Sequence, residues 1–220
     1  MIEYDKDAIV YPYITSYIRG EIRPSEGILG ELEIYAGENE IPIVQPETAQ
    51  FLKTLVYMKQ PFRILEVGCA IGYSAILMAG GLASGGTVTT LEWNAEMARL
   101  ARDNFQKAGL SDRINVILGD AKEILPTLTG EYDLIFLDGP KAHYIYMLND
   151  CIRLLKKSGL LVADNILYKG MTADDGHVIR RKITIVKRLR RFVSAQMQRE
   201  ELAASILPLG DGLTVAVKVV

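Results

Sequence analysis

Two apolar runs that stop abruptly on polar side chains constrain this chain most: Leu134–Leu137 ending in Asp138, and Leu160–Ala163 ending in Asp164 and Asn165. Runs so short and so uniformly apolar read as strands buried on both faces, which places them in a parallel sheet. Further runs begin at Arg63, Thr87 and Ile114, with helical patterns between them and short connections. That alternation predicts an α/β fold, a doubly wound and mostly parallel sheet. In such a sheet the groups just beyond the carboxyl ends of the strands line the binding crevice. Asp138, Asp164 and Asn165 would meet there and offer only oxygen donors, a set that suits Mg²⁺, Mn²⁺ or Ca²⁺ and not zinc. An Asp at a strand end, taken alone, is more often a helix cap or loop anchor.

The strand from Arg63 runs through Glu66 into a glycine turn, Gly68 to Gly72, and then through Ser74 into a helical pattern. Glycines allow close backbone approach, and the helix that follows presents unsatisfied N–H groups. The spacing is not the G-x-G-x-x-G of a pyrophosphate-binding turn, and Glu66 would repel a pyrophosphate. A dinucleotide-dependent oxidoreductase is therefore disfavoured, whereas a ligand bearing an ammonium or sulfonium charge is suited. The strand Thr87–Glu92 ends in a carboxylate where a ribose diol is commonly held, and the next unit ends in Asp120 and Ala121, placed for an adenine amino group. Helix capping by Glu92 and Asp120 is the competing reading. Trp93 reads as a stacking partner for adenine or as a core residue.

The chain has 220 residues, 49% of them hydrophobic, enough for one domain with a full core. Residues 1–60 form an N-terminal helical segment, with helices expected over 4–19, 25–39 and 46–58, and residues 61–220 form the sheet-bearing core. Strands are expected over 204–209 and 213–219, where the Asp211–Gly212 pair signals a hairpin and an antiparallel end to the sheet. Cys69 and Cys151 show no motif spacing, so neither a disulfide framework nor a thiolate metal site is indicated. The charged start, Met1 to Asp7, lacks the apolar core of a secretory signal, and no run is long enough for a membrane span. A cytoplasmic protein is expected. Net charge is −2, yet Ile179–Phe192 carries seven basic residues, with Ile183, Val186, Leu189 and Phe192 at helical spacing. This amphipathic segment is either a solvated surface face or a phosphate-contacting one.

Residues 62–170 resemble the S-adenosylmethionine-dependent, metal-dependent O-methyltransferases of the catechol and caffeoyl-CoA type. The likeness rests on Glu66-Val67-Gly68 with Gly72-Tyr73-Ser74, on Glu92, on Gly119-Asp120-Ala121, on Asp138 with Lys141 and Tyr144, and on Asp164-Asn165. It implies the class I, Rossmann-like methyltransferase fold. It also implies a cofactor-binding set of Val44, Glu66, Gly68, Gly72, Ser74, Glu92, Trp93, Asp120, Ala121 and Asp138, a metal held by Asp138, Asp164 and Asn165, and catalysis by Lys141 with Asp138. Over a wider span, through Arg23-Pro24, Ile41 to Ile43, Leu167 to Gly170 and Pro208 to Leu213, the chain is similar to the bacterial tRNA 5-hydroxyuridine methyltransferases. Pro140, between Asp138 and Lys141, departs from that pattern.

The chemistry so implied is an in-line transfer of a methyl group from a sulfonium to an oxygen. Positioning supplies much of the rate, and a divalent cation lowers the acceptor hydroxyl's pKa. Two open positions on the cation select adjacent oxygen pairs. Lys141 would take the proton or stabilise the oxyanion. The expected acceptor is 5-hydroxyuridine at the wobble position of tRNA, converted to 5-methoxyuridine, with the basic segment 180–191 contacting phosphates. The alternative is a small catechol-like or caffeoyl-CoA-like molecule. A homodimer is expected from the resemblance. His143 and His177 receive no role, and Tyr144 is expected to pack beside the site.

Overall fold

Each apolar run becomes a strand. The computed structural model describes residues 9–220. Strands β1 (Arg63–Val67), β2 (Thr87–Glu92), β3 (Ile114–Leu118), β4 (Tyr132–Leu137), β5 (Leu155–Ala163), β6 (Leu202–Leu207) and β7 (Leu213–Lys218) form one seven-stranded sheet in the order β3-β2-β1-β4-β5-β7-β6. The first five pair in parallel, whereas β7 runs antiparallel to both β5 and β6. From β1 the chain winds outward through β2 and β3, then crosses back to lay β4 on the other side of β1. That reversal opens a crevice at the carboxyl ends of β1 and β4.

Side chains alternate across the sheet as pleating requires. Ile64, Leu134 and Phe136 face one core layer, beneath α3 (Pro46–Lys59), α4 (Tyr73–Ala79) and α5 (Ala95–Lys107). Leu65, Val67, Ile135 and Leu137 face the other, beneath α7 (Tyr144–Leu154) and α8 (Ile183–Gln198). Helix α5 begins where the Asn94 side chain accepts hydrogen bonds from the N–H groups of Glu96 and Met97, a standard N-cap. The remaining helices are α1 (Pro12–Glu21), α2 (Gly27–Glu38) and the short α6 (Ala121–Ile124).

Several boundaries differ from expectation: β6 spans Leu202–Leu207 in place of 204–209, stopping before Pro208, and α2 spans Gly27–Glu38 in place of 25–39. The first helix runs from Pro12 to Glu21; residues 4–8 of the expected element, and the charged Met1–Asp7 stretch, lie outside the described residues. The basic amphipathic helix starts at Ile183 and extends to Gln198. Before it, the Asp174 carboxylate accepts the Gly176 N–H and pairs with His177, closing a local turn of its own. Ile179 is then extended, with ψ 129°, and Arg180–Lys182 form a 3₁₀ turn, so the α-helix opens only at Ile183. Val186, Leu189 and Phe192 are buried, and Phe192 meets Tyr144 edge-on with ring centroids 5.4 Å apart. Among the described residues no helix is long and apolar enough to cross a membrane.

Candidate active site

A cavity of about 890 Å³ opens at the carboxyl ends of the parallel strands. Val44, Gly68, Ser74, Glu92, Trp93, Asp120, Ala121, Asp138, Lys141, Asp164 and Asn165 all line it. Two residues of the sequence-derived set take other places. Glu66 lies fully buried beneath the cavity floor, its Oε2 accepting a hydrogen bond from Thr90 at 2.6 Å and its Oε1 without a partner. Gly72 turns toward α5, where an added Cβ would lie 2.5 Å from the Phe105 ring; its φ of +88° suits glycine and its smallness admits that ring.

The glycine turn is held from the neighbouring strand. Oε2 of Glu92 accepts the N–H groups of Cys69 and Ala70 at 3.1 and 2.9 Å, while Oε1 accepts the Asn94 N–H at 2.9 Å. Glu92 therefore fastens the β1 turn to the end of β2 and also faces the cavity. Gly68 allows that turn to pass the β4 turn, for a Cβ there would sit 2.5 Å from the Asp138 carbonyl oxygen. Tyr73, on the cavity wall, donates to Glu33 at 2.6 Å and so ties α4 to α2.

Burial raises the Glu66 carboxyl to about 7, only partly offset by the neighbouring Ser74 hydroxyl and the Thr90 hydrogen bond. A buried carboxyl with one unpartnered oxygen favours a cation placed above it. Asp120 caps α6 through the Lys122 N–H and also pairs with the Lys122 ammonium; the backbone hydrogen bond, then the lysine, holds its carboxyl below the ordinary range. Trp93 is 74% exposed at the cavity rim, so it belongs to no core. His143, which also lines the cavity, is shifted down by desolvation and by the nearby Lys122.

Asp138 follows β4 and Asp164 follows β5, and the paired ends Leu137 and Ala163 set the two acids side by side. The Tyr144 hydroxyl lies 3.0 Å from the Leu137 carbonyl and 3.3 Å from that of Asp164, bridging the two strand ends from below. Asn165 has φ +58°, a left-handed turn that Asn tolerates, and its N–H donates to Asp164 at 2.6 Å. Lys141 begins the 3₁₀ turn after Pro140 and brings its ammonium to 3.7 Å from Asp138. Pro140, with φ −67°, fits that turn entrance. Desolvation raises the carboxyls of both Asp138 and Asp164, and for Asp164 the facing Asp138 adds to it.

Asp211 also lines the cavity, and its carboxyl is raised by burial. Its Oδ1 accepts the Lys169 N–H at 2.6 Å, anchoring the hairpin to the loop after β5. In the sequence its pairing with Gly212 signals only a turn, and nothing else marks it as a site residue. Among the described residues no three His, Cys, Asp or Glu side chains form a metal cluster. The oxygen set here is two carboxylates and an amide, with Lys141 beside one of them. Two acids half-buried to buried at one strand boundary, with vacant oxygen lone pairs facing a cavity, are a fitting cradle for a hard divalent cation.

The basic segment divides. Arg190 donates to the carbonyls of Met171 and Thr172 and to Asp175, and so holds the loop before α8. Arg188 stacks over Tyr146 at 5.3 Å. Lys182 lies 5.7 Å over the ring of Tyr168, itself on the cavity wall, and Arg180 and Arg181 are exposed next to it.

Residues 27–219 match the family described as O-methyltransferase. The catechol O-methyltransferase of Niastella koreensis is 32% identical over 183 residues, covering 79% of this chain and 81% of that enzyme. That of Mycobacterium tuberculosis is 35% identical over 146 residues, covering 64% of this chain and 66% of that enzyme, just under two thirds. Among solved structures, the O-methyltransferase from Bacillus cereus in complex with SAH superposes with a TM-score of 0.83 at 28% identity, covering 94% of this chain and 97% of that one. A putative caffeoyl-CoA O-methyltransferase from Staphylococcus aureus gives 0.82 at 30% identity, with the same coverage of 94% and 97%. The likeness spans most of the chain, and the chain belongs to the S-adenosylmethionine-dependent O-methyltransferases of the catechol and caffeoyl-CoA family.

Proposed function

We propose that the enzyme methylates one hydroxyl of a small acceptor carrying two adjacent oxygens, a catechol-like ring, with the help of a divalent cation. The observation that carries this reading is the meeting of Asp138, Asp164, Asn165 and Lys141 at one edge of the cavity whose far wall is Glu92, Trp93 and Asp120. When bound, S-adenosylmethionine supplies an electrophilic methyl on a sulfonium, and a divalent cation supplies positive charge to the acceptor's paired oxygens. Glu92 presents carboxylate lone pairs toward a ribose, and Glu66 places negative charge below the site. Ser74 and the turn 68–72 orient the methionine end. Asp138, Asp164 and Asn165 would hold the cation. Lys141 stands where, as the free amine, it would accept the hydroxyl proton or, as the ammonium, steady the oxyanion, while the bound cofactor would supply the methyl group and leave as the neutral thioether.

The named catechol O-methyltransferases among the relatives support a small diol ahead of a tRNA nucleoside. The test is turnover of catechol with S-adenosylmethionine and Mg²⁺, followed by mass spectrometry of the product. No methylated catechol at millimolar acceptor would remove this reading.

A second reading, an acceptor within tRNA, is favoured by one feature: Lys182 over Tyr168 at the cavity mouth, with Arg180 and Arg181 exposed alongside. It requires saturable tRNA binding that weakens steeply with salt and is lost in Arg180→Ala/Arg181→Ala/Lys182→Ala. Filter binding between 50 and 200 mM salt decides it. The expected homodimer is likewise a proposal, tested by light scattering of the eluted peak.

A further inference from the structure

The loop that leaves β5 holds its backbone where residues with side chains rarely go. Asn165, Tyr168 and Lys169 have φ of +58°, +48° and +56°, and Gly170 follows at +76°. The left-handed region is uphill for any residue with a Cβ, so such a run persists only where its surroundings hold it. The same loop supplies Asn165 and Tyr168 to the wall of the large cavity. The direction of the Asn165 amide follows from its backbone. Were its φ to relax to negative values, the side chain would swing away from the edge where Asp138 and Asp164 stand.

Three hydrogen bonds fasten this loop to the β6–β7 connection. The Ile166 N–H donates to the Gly212 carbonyl and the Leu167 N–H to the Asp211 carbonyl, each at 3.0 Å. Any residue supplies such carbonyls, although the close approach needs Gly212, where a Cβ would lie 2.3 Å from Leu167 Cγ. The third bond depends on a side chain: Oδ1 of Asp211 accepts the Lys169 N–H at 2.6 Å. It falls on the last left-handed residue before Gly170, at the point where the loop most needs a partner. Beyond it the loop closes on itself, the Thr172 hydroxyl reaching the carbonyls of Ile166 and Leu167 at 2.9 and 3.0 Å. Asp211 stands outside the cation cradle, for among the described residues no three acids form a metal-holding cluster.

We propose that Asp211 is a positioning residue of the reaction: by holding the Lys169 N–H it locks the left-handed course of residues 165–169 and so aims Asn165 at the cation. The proposal rests on the divalent-cation reading above. Asp211 acts through the loop, as outer hydrogen bonds orient the groups that hold a metal.

The probe is Mn²⁺, titrated into enzyme saturated with S-adenosylhomocysteine and followed by the electron paramagnetic resonance of the free ion. Asp211→Ala should weaken Mn²⁺ binding by about 10- to 100-fold, with S-adenosylhomocysteine affinity unchanged by calorimetry. Asp211→Asn keeps an accepting oxygen and gives up the charge, and should stay within about threefold of the wild type. Lys169→Gly added to Asp211→Ala should recover part of the loss, because glycine takes φ +56° without strain. A merely structural role for Asp211 predicts no such rescue. Asp211→Ala that binds Mn²⁺ as the wild type does overturns the proposal. So does Asp211→Asn as weak as Asp211→Ala, which would make the charge, and not the hydrogen bond, the contribution of residue 211. Should Asp211→Ala fail to fold, amide exchange in the wild type decides. The N–H of the exposed Lys169 should exchange far more slowly than an unbonded loop amide, and exchange at the open rate overturns the lock. Wild-type enzyme that binds no Mn²⁺, or binds it no better than Asp138→Ala, overturns the divalent-cation reading, and this proposal with it.

Discussion

Glu92 accepts the Ala70 N–H at 2.9 Å, and Ala70 has φ +44°, a left-handed conformation unusual for a residue with a Cβ. The carboxylate of one strand end thus stabilises a strained turn on the next. Glu92→Gln replaces one accepting oxygen by an amide donor facing N–H groups. Affinity for S-adenosylhomocysteine should fall by about 10- to 100-fold, the scale of one hydrogen bond to a charged group, with Tm reduced as well. Calorimetry that finds unchanged affinity would show that the turn holds itself.

Removing a cation-holding acid should stop turnover and spare the fold. Asp138→Ala and Asp164→Ala are each expected to lose at least about 100-fold in kcat/KM, and EDTA should do the same to the wild type, reversibly with Mg²⁺ or Mn²⁺. Circular dichroism of the variants should match the wild type. Full activity after exhaustive chelation would count decisively against the divalent-cation reading.

Lys141→Ala should lower kcat by roughly 10²–10⁴-fold if the free amine takes the acceptor's proton, with little change in cofactor affinity. A loss smaller than about threefold would reduce Lys141 to the ion-pair partner of Asp138 seen at 3.7 Å.

Glu66 gives a pH signature. Its carboxyl titrates at about 7 in the fold, against 4.5 ordinarily, so folding favours the protonated form. Its stabilisation is complete below about pH 4.5 and is lost as pH rises through 7, an effect of about 3 kcal/mol at most. Glu66→Gln cannot ionise and should overtake the wild type as pH rises from 5 to 8 in the absence of ligand. Urea midpoints for both proteins at the two pH values measure this; a constant offset would exclude Glu66 as the titrating group.

Trp93 is the only tryptophan of the chain and stands 74% exposed at the cavity rim. Its fluorescence should respond saturably to S-adenosylhomocysteine, and Trp93→Phe should keep most of the affinity that Trp93→Ala loses. An emission spectrum indifferent to saturating ligand would place the adenine elsewhere.

The sheet and its acidic edge were legible because a strand buried on both faces leaves a run of apolar letters, and a strand end leaves an abrupt polar one. Leu134–Asp138 and Leu160–Asn165 needed no more than that. Gly72 shows a limit of such reading: a glycine demanded by a ligand and one demanded by the Phe105 ring look the same in sequence. Arg190 belonged by composition to a basic face, but its partners Met171, Thr172 and Asp175 come from a loop that folds back on α8. Asp211 was masked by the glycine beside it.

The Tyr144 hydroxyl that joins the carbonyls of Leu137 and Asp164 has a consequence for how such an enzyme changes over time. Neighbouring strands stand about 4.8 Å apart whatever their sequence, and this strut keeps the last residues of β4 and β5 at that interval. The gap between the two acids is therefore inherited from the backbone. The walls that meet the rest of the acceptor are a helix and loops, which tolerate substitution far better. Such a catalyst is free to drift in what it methylates while its reactive jaw keeps a fixed gauge.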